Sequence, residues 1–182
     1  MPNQSKEELP IFLVGFMGSG KSTIGTCLAT KLHRPFIDLD HLIETTIRRS
    51  IAELIDDRGE GEFRAIESRA LRECARSGAP VIATGGGVIL RAENRELMSK
   101  TGVTVWLDAP FELCWQRISA DAAVRPLAPD RETALARYNA RNEHYKESQL
   151  HIEIGEDLTA DAAADVIVKL LVELSSVQYR EL

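Results

Sequence analysis

The run Gly15-Phe16-Met17-Gly18-Ser19-Gly20-Lys21-Ser22-Thr23, directly after Ile11-Phe12-Leu13-Val14, constrains this chain more than any other feature. Four consecutive apolar residues read as a buried strand. The glycines that follow admit backbone angles closed to other residues and let main-chain N–H groups approach an anion. Lys21 and Ser22 then open a helix, whose N-terminus attracts negative charge. This is G-x-x-x-x-G-K-[ST] in the context that gives it meaning, strand before and helix after. Gly18, Ser19, Gly20, Lys21, Ser22 and Thr23 are thereby candidates to cradle the phosphates of a nucleotide. Lys21 reaches the outer phosphates, and the Ser22 hydroxyl can ligate Mg²⁺.

A length of 182 residues suits one domain with a full core. The formal net charge of −6 offers no general field for nucleic acid or an anionic membrane, so neither is an expected partner. An anionic substrate must instead be held by a local cluster of Arg and Lys. Cys27, Cys74 and Cys114 are odd in number and widely spaced, which argues against a disulfide framework or a zinc site. Free thiols fit a reducing cytosol. The first ten residues are polar and lack the apolar stretch of a signal peptide, and no apolar run approaches membrane-spanning length. The expectation is a cytoplasmic protein.

Strand and helix patterns alternate along the chain. Ile24, Leu28 and Leu32 give the first helix its apolar spacing, and Pro35 stops it. Residues 36–40 read as a short strand ending in two acids. Short helices are expected over 41–49 and 51–57, with Ser50 as an N-cap. Gly59 and Gly61 mark a break before a strong helix over 62–75, whose stripe is Phe63, Ile66, Ala70 and Cys74. A strand over 81–83 runs into Gly85-Gly86-Gly87. Further elements are a helix near 91–100, a strand over 103–107, a helix from Pro110 to about 118, a loop over 119–130 expected to be mobile, a helix over 132–147, a strand over 150–154 and a last helix capped by Thr159. This alternation implies a parallel sheet with helices on both faces. Ligands on such sheets bind beyond the carboxyl ends of the strands, where the loops carrying Lys21, Asp38 and Asp40, and Gly85–Gly87 converge.

On a strand, Asp38 and Asp40 would share a face. One can support a Mg²⁺ shell, and one can accept a hydrogen bond from a substrate hydroxyl. A strand end capped by solvated acids is the plainer alternative. Arg64 and Glu67 are spaced for an i,i+3 pair, either a surface ion pair or a guanidinium held ready for an anion. Arg141, on a charged helix, is unremarkable alone. The three glycines suggest N–H groups brought against a ligand, with a flexible turn as the alternative. Arg125 is either an arginine that folds over the phosphates or a solvated loop residue. His33, His41, His144 and His151 show no ligand spacing. Trp106 and Trp115 read as packing residues.

Taken in order, Gly15-x-x-Gly18-Ser19-Gly20-Lys21-Ser22-Thr23, Asp38-Leu39-Asp40, Phe63-Arg64-x-x-Glu67, Gly85-Gly86-Gly87, Arg125-Pro126-Leu127 and Arg141-x-x-x-Tyr145 resemble the shikimate kinases, at their spacing, from about residue 11 to 154. The resemblance implies a three-layer α/β/α fold with a five-stranded parallel sheet. This is a P-loop NTPase of the nucleoside monophosphate kinase-like branch, with substrate-binding helices and a lid at about 119–130. It implies one domain over 1–182, with a loosely held N-terminus at about 1–9, acting as a monomer. The implied reaction is ATP plus shikimate to ADP plus shikimate 3-phosphate, in chorismate and aromatic amino-acid biosynthesis, with Mg²⁺ as cofactor. Gly18–Thr23 would bind ATP, and Ser22, with Asp38 through water, would hold the metal. Asp40 would bind ring hydroxyls and act as base beside the catalytic Lys21 and Arg125. Arg64 and Arg141 would hold the substrate carboxylate, Gly86 would offer a backbone N–H, and Arg125 would belong to the lid over ATP.

Two positions depart from the family pattern. Ile55 stands where several members carry Phe, and Ala128 where a second Leu is common. The nearest rival is a gluconate or nucleotide kinase on the same fold, which should lack the full set Asp40, Arg64, Gly85–Gly87 and Arg141. A GTP-dependent switch is a rival of another class. Asp56-Asp57-Arg58-Gly59 reads D-x-x-G, but it follows a helical segment, and no N-K-x-D occurs.

Overall fold

The computed structural model describes residues 9–120 and 127–178. Five parallel strands form one sheet in the order β2-β3-β1-β4-β5. They are β1 (Ile11–Val14), β2 (Phe36–Asp38), β3 (Val81–Ala83), β4 (Val103–Asp108) and β5 (Leu150–Glu153). The helices are α1 (Lys21–Leu32), α2 (Leu39–Ile47), α3 (Ile51–Cys74), α4 (Ala92–Thr101), α5 (Phe111–Ala120), α6 (Arg131–Tyr145) and α7 (Ala160–Gln178). A 3₁₀ turn, Val88–Leu90, follows β3.

Side chains alternate across a strand, so each central strand feeds two cores. Ile11 and Leu13 of β1, with Val105 and Leu107 of β4, pack with Ile24 and Leu28 of α1 and Ala163 and Ile167 of α7. Phe12, Val14 and Trp106 face the other way, onto Leu39 and Ile43 of α2, Phe63 and Leu71 of α3, and Met98 of α4. A strand buried on both faces must be apolar throughout, which explains the unbroken Ile11–Val14 run. The order reverses at β1: β3 pairs on one side of it and β4 on the other. That switch point is where a doubly wound sheet opens a crevice.

Helix ends follow local chemistry. Ser50 and Glu53 form a reciprocal capping box at α3, and Asp130 caps α6 through Thr133 N–H at 2.8 Å. Gly59, at φ 81° and ψ 164°, interrupts α3 where the glycines signalled a break. One expectation is corrected. The strand expected over 36–40 ends at Asp38, whose carboxylate accepts the His41 N–H at 3.2 Å and caps α2. Asp40 therefore lies in the first turn of α2, where an acid complements the helix dipole. The loop expected over 119–130 begins inside α5, and residues 121–126 lie outside the described residues.

At the edge remote from β1's carboxyl end, Gly102 is extended, and a Cβ there would collide with the Pro10 carbonyl and stand 2.6 Å from the Phe12 ring. Gly102→Ala should cost about 1–3 kcal/mol. It should appear as a lower urea midpoint at unchanged m-value. An unchanged midpoint would show that β1 is not packed as described.

Candidate functional site

The loop after β1 turns on glycines. Gly15, Gly18 and Gly20 have φ of 147°, 78° and 99°. A Cβ on Gly18 would stand 2.7 Å from the Cys114 carbonyl of α5. Lys21, the first residue of α1, is buried and folds back, its Nζ donating to Gly15 O at 2.9 Å and Phe16 O at 2.8 Å. Burial lowers its ammonium to about 8, against the opposing pull of nearby Asp40. A buried cation met mainly by carbonyls is prepared for an anion. The Arg117 guanidinium donates to Gly18 O at 3.0 Å. It lines the same cavity of about 390 Å³ as Lys21, Ser22, Thr23 and Asp38.

Ser22 Oγ donates to Asp38 Oδ2 at 2.5 Å. These hard oxygens beside a phosphate loop suit Mg²⁺. Among the described residues no group of three or more His, Cys, Asp or Glu could hold a metal. An ion here would therefore complete its shell from water and phosphate oxygens.

A second cavity, about 710 Å³, adjoins the first and shares Met17, Asp40 and Gly86 with it. Arg64 from α3 and Arg141 from α6 open onto it. Both are buried, Arg141 to 1% exposure. Arg64 Nη1 donates to Glu67 Oε2 at 2.8 Å and Nη2 to Glu60 Oε1 at 3.0 Å. Burial works against the Arg64 charge, but Glu67 and Glu60 outweigh it and hold its pKa above the ordinary value. Arg141 lies over the Phe16 ring at 5.6 Å, and its pKa is depressed by burial and by Arg64 and Arg137. Its Nη2 finds no hydrogen-bond partner among the described residues; nor do Asp40 Oδ1, Glu67 Oε1 and Ser19 Oγ. Orphaned buried polar atoms are rare and mark places where a ligand or water completes the set. Burial raises the carboxyl pKa of both Asp40 and Glu67; Asp38 adds to the rise at Asp40, while Arg64 opposes it at Glu67.

Gly85–Gly87 owe their composition to this charge. A Cβ on Gly85 would strike Glu67 and approach Asp40 Oδ1 to 2.9 Å. On Gly86 it would stand 3.2 Å from Arg141 Nη1, and on Gly87 it would run into the Arg64 guanidinium. None of the three has positive φ, so close approach, not an unusual turn, demands glycine here. Tyr145 donates its hydroxyl to Gly86 O at 2.5 Å and is fully buried.

The structure thus brings Lys21, Ser22, Asp38, Asp40, Arg64, Gly86 and Arg141 to one sheet edge. Arg64–Glu67 is a buried pair, not a surface one, and Arg141 is buried although its helix reads as charged. Arg125 lies outside the described residues. Ile55 lines the larger cavity, and Ala128 is buried in the α1-side core. Arg117 was not assigned from sequence; its place at the end of the helix opposite the phosphate loop was the available signal.

The family model described as shikimate kinase matches residues 17–172. A shikimate kinase of Synechococcus sp. (strain JA-3-3Ab) is 39% identical over 160 residues, covering 86% of this chain and 84% of that protein. The solved shikimate kinase from Acinetobacter baumannii in complex with shikimate superposes with a TM-score of 0.87 at 35% identity, over 91% of this chain and 94% of that one. A gluconokinase from Sinorhizobium meliloti, at 17% identity and TM-score 0.61 over 97% of this chain and 99% of that one, shares the fold.

The lowered Lys21 pKa has a measurable consequence without ligand. Between about 8 and the ordinary 10.5 the unfolded chain binds the extra proton, so the folding penalty of Lys21 is full below pH 8 and fades as pH rises. The stability of Lys21→Met relative to the native chain should therefore fall between pH 7.5 and pH 10 in metal-free urea titrations, by roughly 2–3 kcal/mol at most. A difference independent of pH would contradict the burial of that ammonium.

Proposed function

This chain belongs to the shikimate kinase family, and on that premise we propose how its own residues divide the work of passing the terminal phosphoryl of ATP to the 3-hydroxyl of shikimate, a step toward chorismate and the aromatic amino acids. The observation that carries the proposal is the junction of two cavities. One is lined by the phosphate loop, the other by two buried guanidiniums, and Asp40 belongs to both.

Gly18–Thr23 hold the ATP phosphates through main-chain N–H groups and Lys21. Lys21 gains an anionic partner on nucleotide binding, which offsets the cost of its burial. Ser22 and Asp38 would hold Mg²⁺, which would neutralise charge on the phosphates. Arg64 and Arg141 take the substrate carboxylate; Arg141 Nη2, without a partner among the described residues, is a donor open to it. Asp40 Oδ1, likewise unpartnered, accepts a ring hydroxyl. A carboxylate whose pKa is raised by burial is a better base than one in water, and Asp40 takes the hydroxyl proton as the oxygen attacks phosphorus. Gly86, which like Asp40 lines both cavities, offers its N–H to the substrate. Arg125 acts from the lid, closing over ATP and excluding water, which otherwise competes as acceptor. The chain works as a cytoplasmic monomer.

An ADP-release assay comparing shikimate, gluconate and nucleoside monophosphates tests the assignment; turnover confined to shikimate is expected. Arg64→Ala and Arg141→Ala should each raise the KM for shikimate by roughly a hundredfold. The KM for ATP should stay nearly constant. Asp40→Asn should lower kcat by roughly 10²–10⁴-fold. Equal losses toward both substrates from the arginine variants, or a normal kcat for Asp40→Asn, would contradict these roles.

A further inference from the structure

Arg64 does not stand alone on α3. Its Nε and Nη2 both reach Glu60 Oε1, at 3.3 and 3.0 Å, while Nη1 is taken by Glu67. Glu60 follows the interruption at Gly59 and is engaged from the other side by α6. Arg137 Nη1 lies 3.4 Å from Glu60 Oε1 and Nη2 lies 3.3 Å from Oε2. Arg137 is one turn before Arg141, on the same face of α6. One carboxylate therefore links the two helices that supply the anion-binding guanidiniums.

The charges explain why the link matters. Two carboxylates, Glu60 and Glu67, surround Arg64 and could neutralise it wholly, leaving little attraction for an incoming anion. Arg137 draws on Glu60, so Arg64 keeps part of its charge for the cavity. The same contact ties Arg64 of α3 to the turn of α6 that precedes Arg141. A carboxylate is gripped by two guanidiniums only if they are spaced for it, and misplacement by about an ångström is costly. Arg137 itself does not line the cavity that Arg64 and Arg141 share.

We propose that Arg137 is a positioning residue for the anionic substrate: through Glu60 it fixes Arg64 relative to Arg141 and keeps Arg64 from being neutralised by its own helix. This rests on the reading that Arg64 and Arg141 bind the substrate carboxylate, and it adds a residue that touches no reacting group.

Steady-state kinetics on the full chain test it. Arg137→Met keeps the aliphatic stem and should raise the KM for shikimate about fivefold, the scale of a partly exposed ion pair. The KM for ATP and kcat should change less than about twofold. Arg137→Gln, a second variant with the same charge loss, should do the same. In a Glu60→Gln background, Arg137→Met should have no further effect, because its action passes through that carboxylate. With the carboxamide analogue of shikimate, which carries no anion, the native chain and Arg137→Met should give the same KM. An undiminished effect in the Glu60→Gln background, or an equal effect on the carboxamide, would overturn the proposal. Arg64→Ala, run alongside, separates the failures. If it raises the shikimate KM while Arg137→Met does not, the positioning role falls and the clamp stands. If Arg64→Ala also leaves KM unmoved, the clamp falls and takes this proposal with it.

Discussion

At the end of β3 the bare main chain of Gly85–Gly87 lies against Asp40, Glu67, Arg141 and Arg64, in the space any side chain there would need. Remove that vacancy and the charged groups cannot converge on one cavity. The sheet supplies the approach. β3 lies beside β1 with Leu13 opposite Ala83, so the glycines emerge next to the phosphate loop. Helices α3 and α6 then bring their arginines from elements far apart in sequence.

This concentration of buried charge works against folding. Lys21, Glu67 and Arg141 are nearly or wholly removed from water, and atoms of Arg141, Glu67 and Asp40 lack partners among the described residues. Such groups cost free energy unless a ligand completes them. Stability must come from the two apolar cores on either face of the sheet, which contain no such conflict. The division is physical sense: rigid apolar layers hold the strand ends still, and the strand ends carry groups whose needs are met only when substrates arrive.

Much of this was legible in the chain. The apolar Ile11–Val14 run followed by glycines and Lys21 located β1, its turn and α1, because three local signals agree there. Ser50 announced the start of α3, and Gly59 with Gly61 its interruption; the reciprocal part of Glu53 in the cap emerges only from the structure. Asp40 was misread as a strand residue, since two acids spaced by one residue look the same at a strand end and in a helix's first turn. The Asp38 cap on His41 decides between them, and that depends on how the chain turns after β2. Burial of Arg141 was invisible because its helix is polar on most sides, and one buried face emerges only when Phe16 and Gly86 pack on it. Gly85–Gly87 read as N–H groups brought against a ligand, but the sequence could not show that they also supply absence of volume, a property of their neighbours. The bridge from Arg137 to Glu60 spans 77 positions and leaves no local trace.

A crystal structure of the chain with shikimate and ADP bound would test the central claim most directly. The ring carboxylate should lie within hydrogen-bond distance of both the Arg64 and Arg141 guanidiniums, with a ring hydroxyl on Asp40 Oδ1 facing the phosphate loop. A carboxylate bound away from either arginine, or a ring whose hydroxyls turn from Asp40, would contradict it.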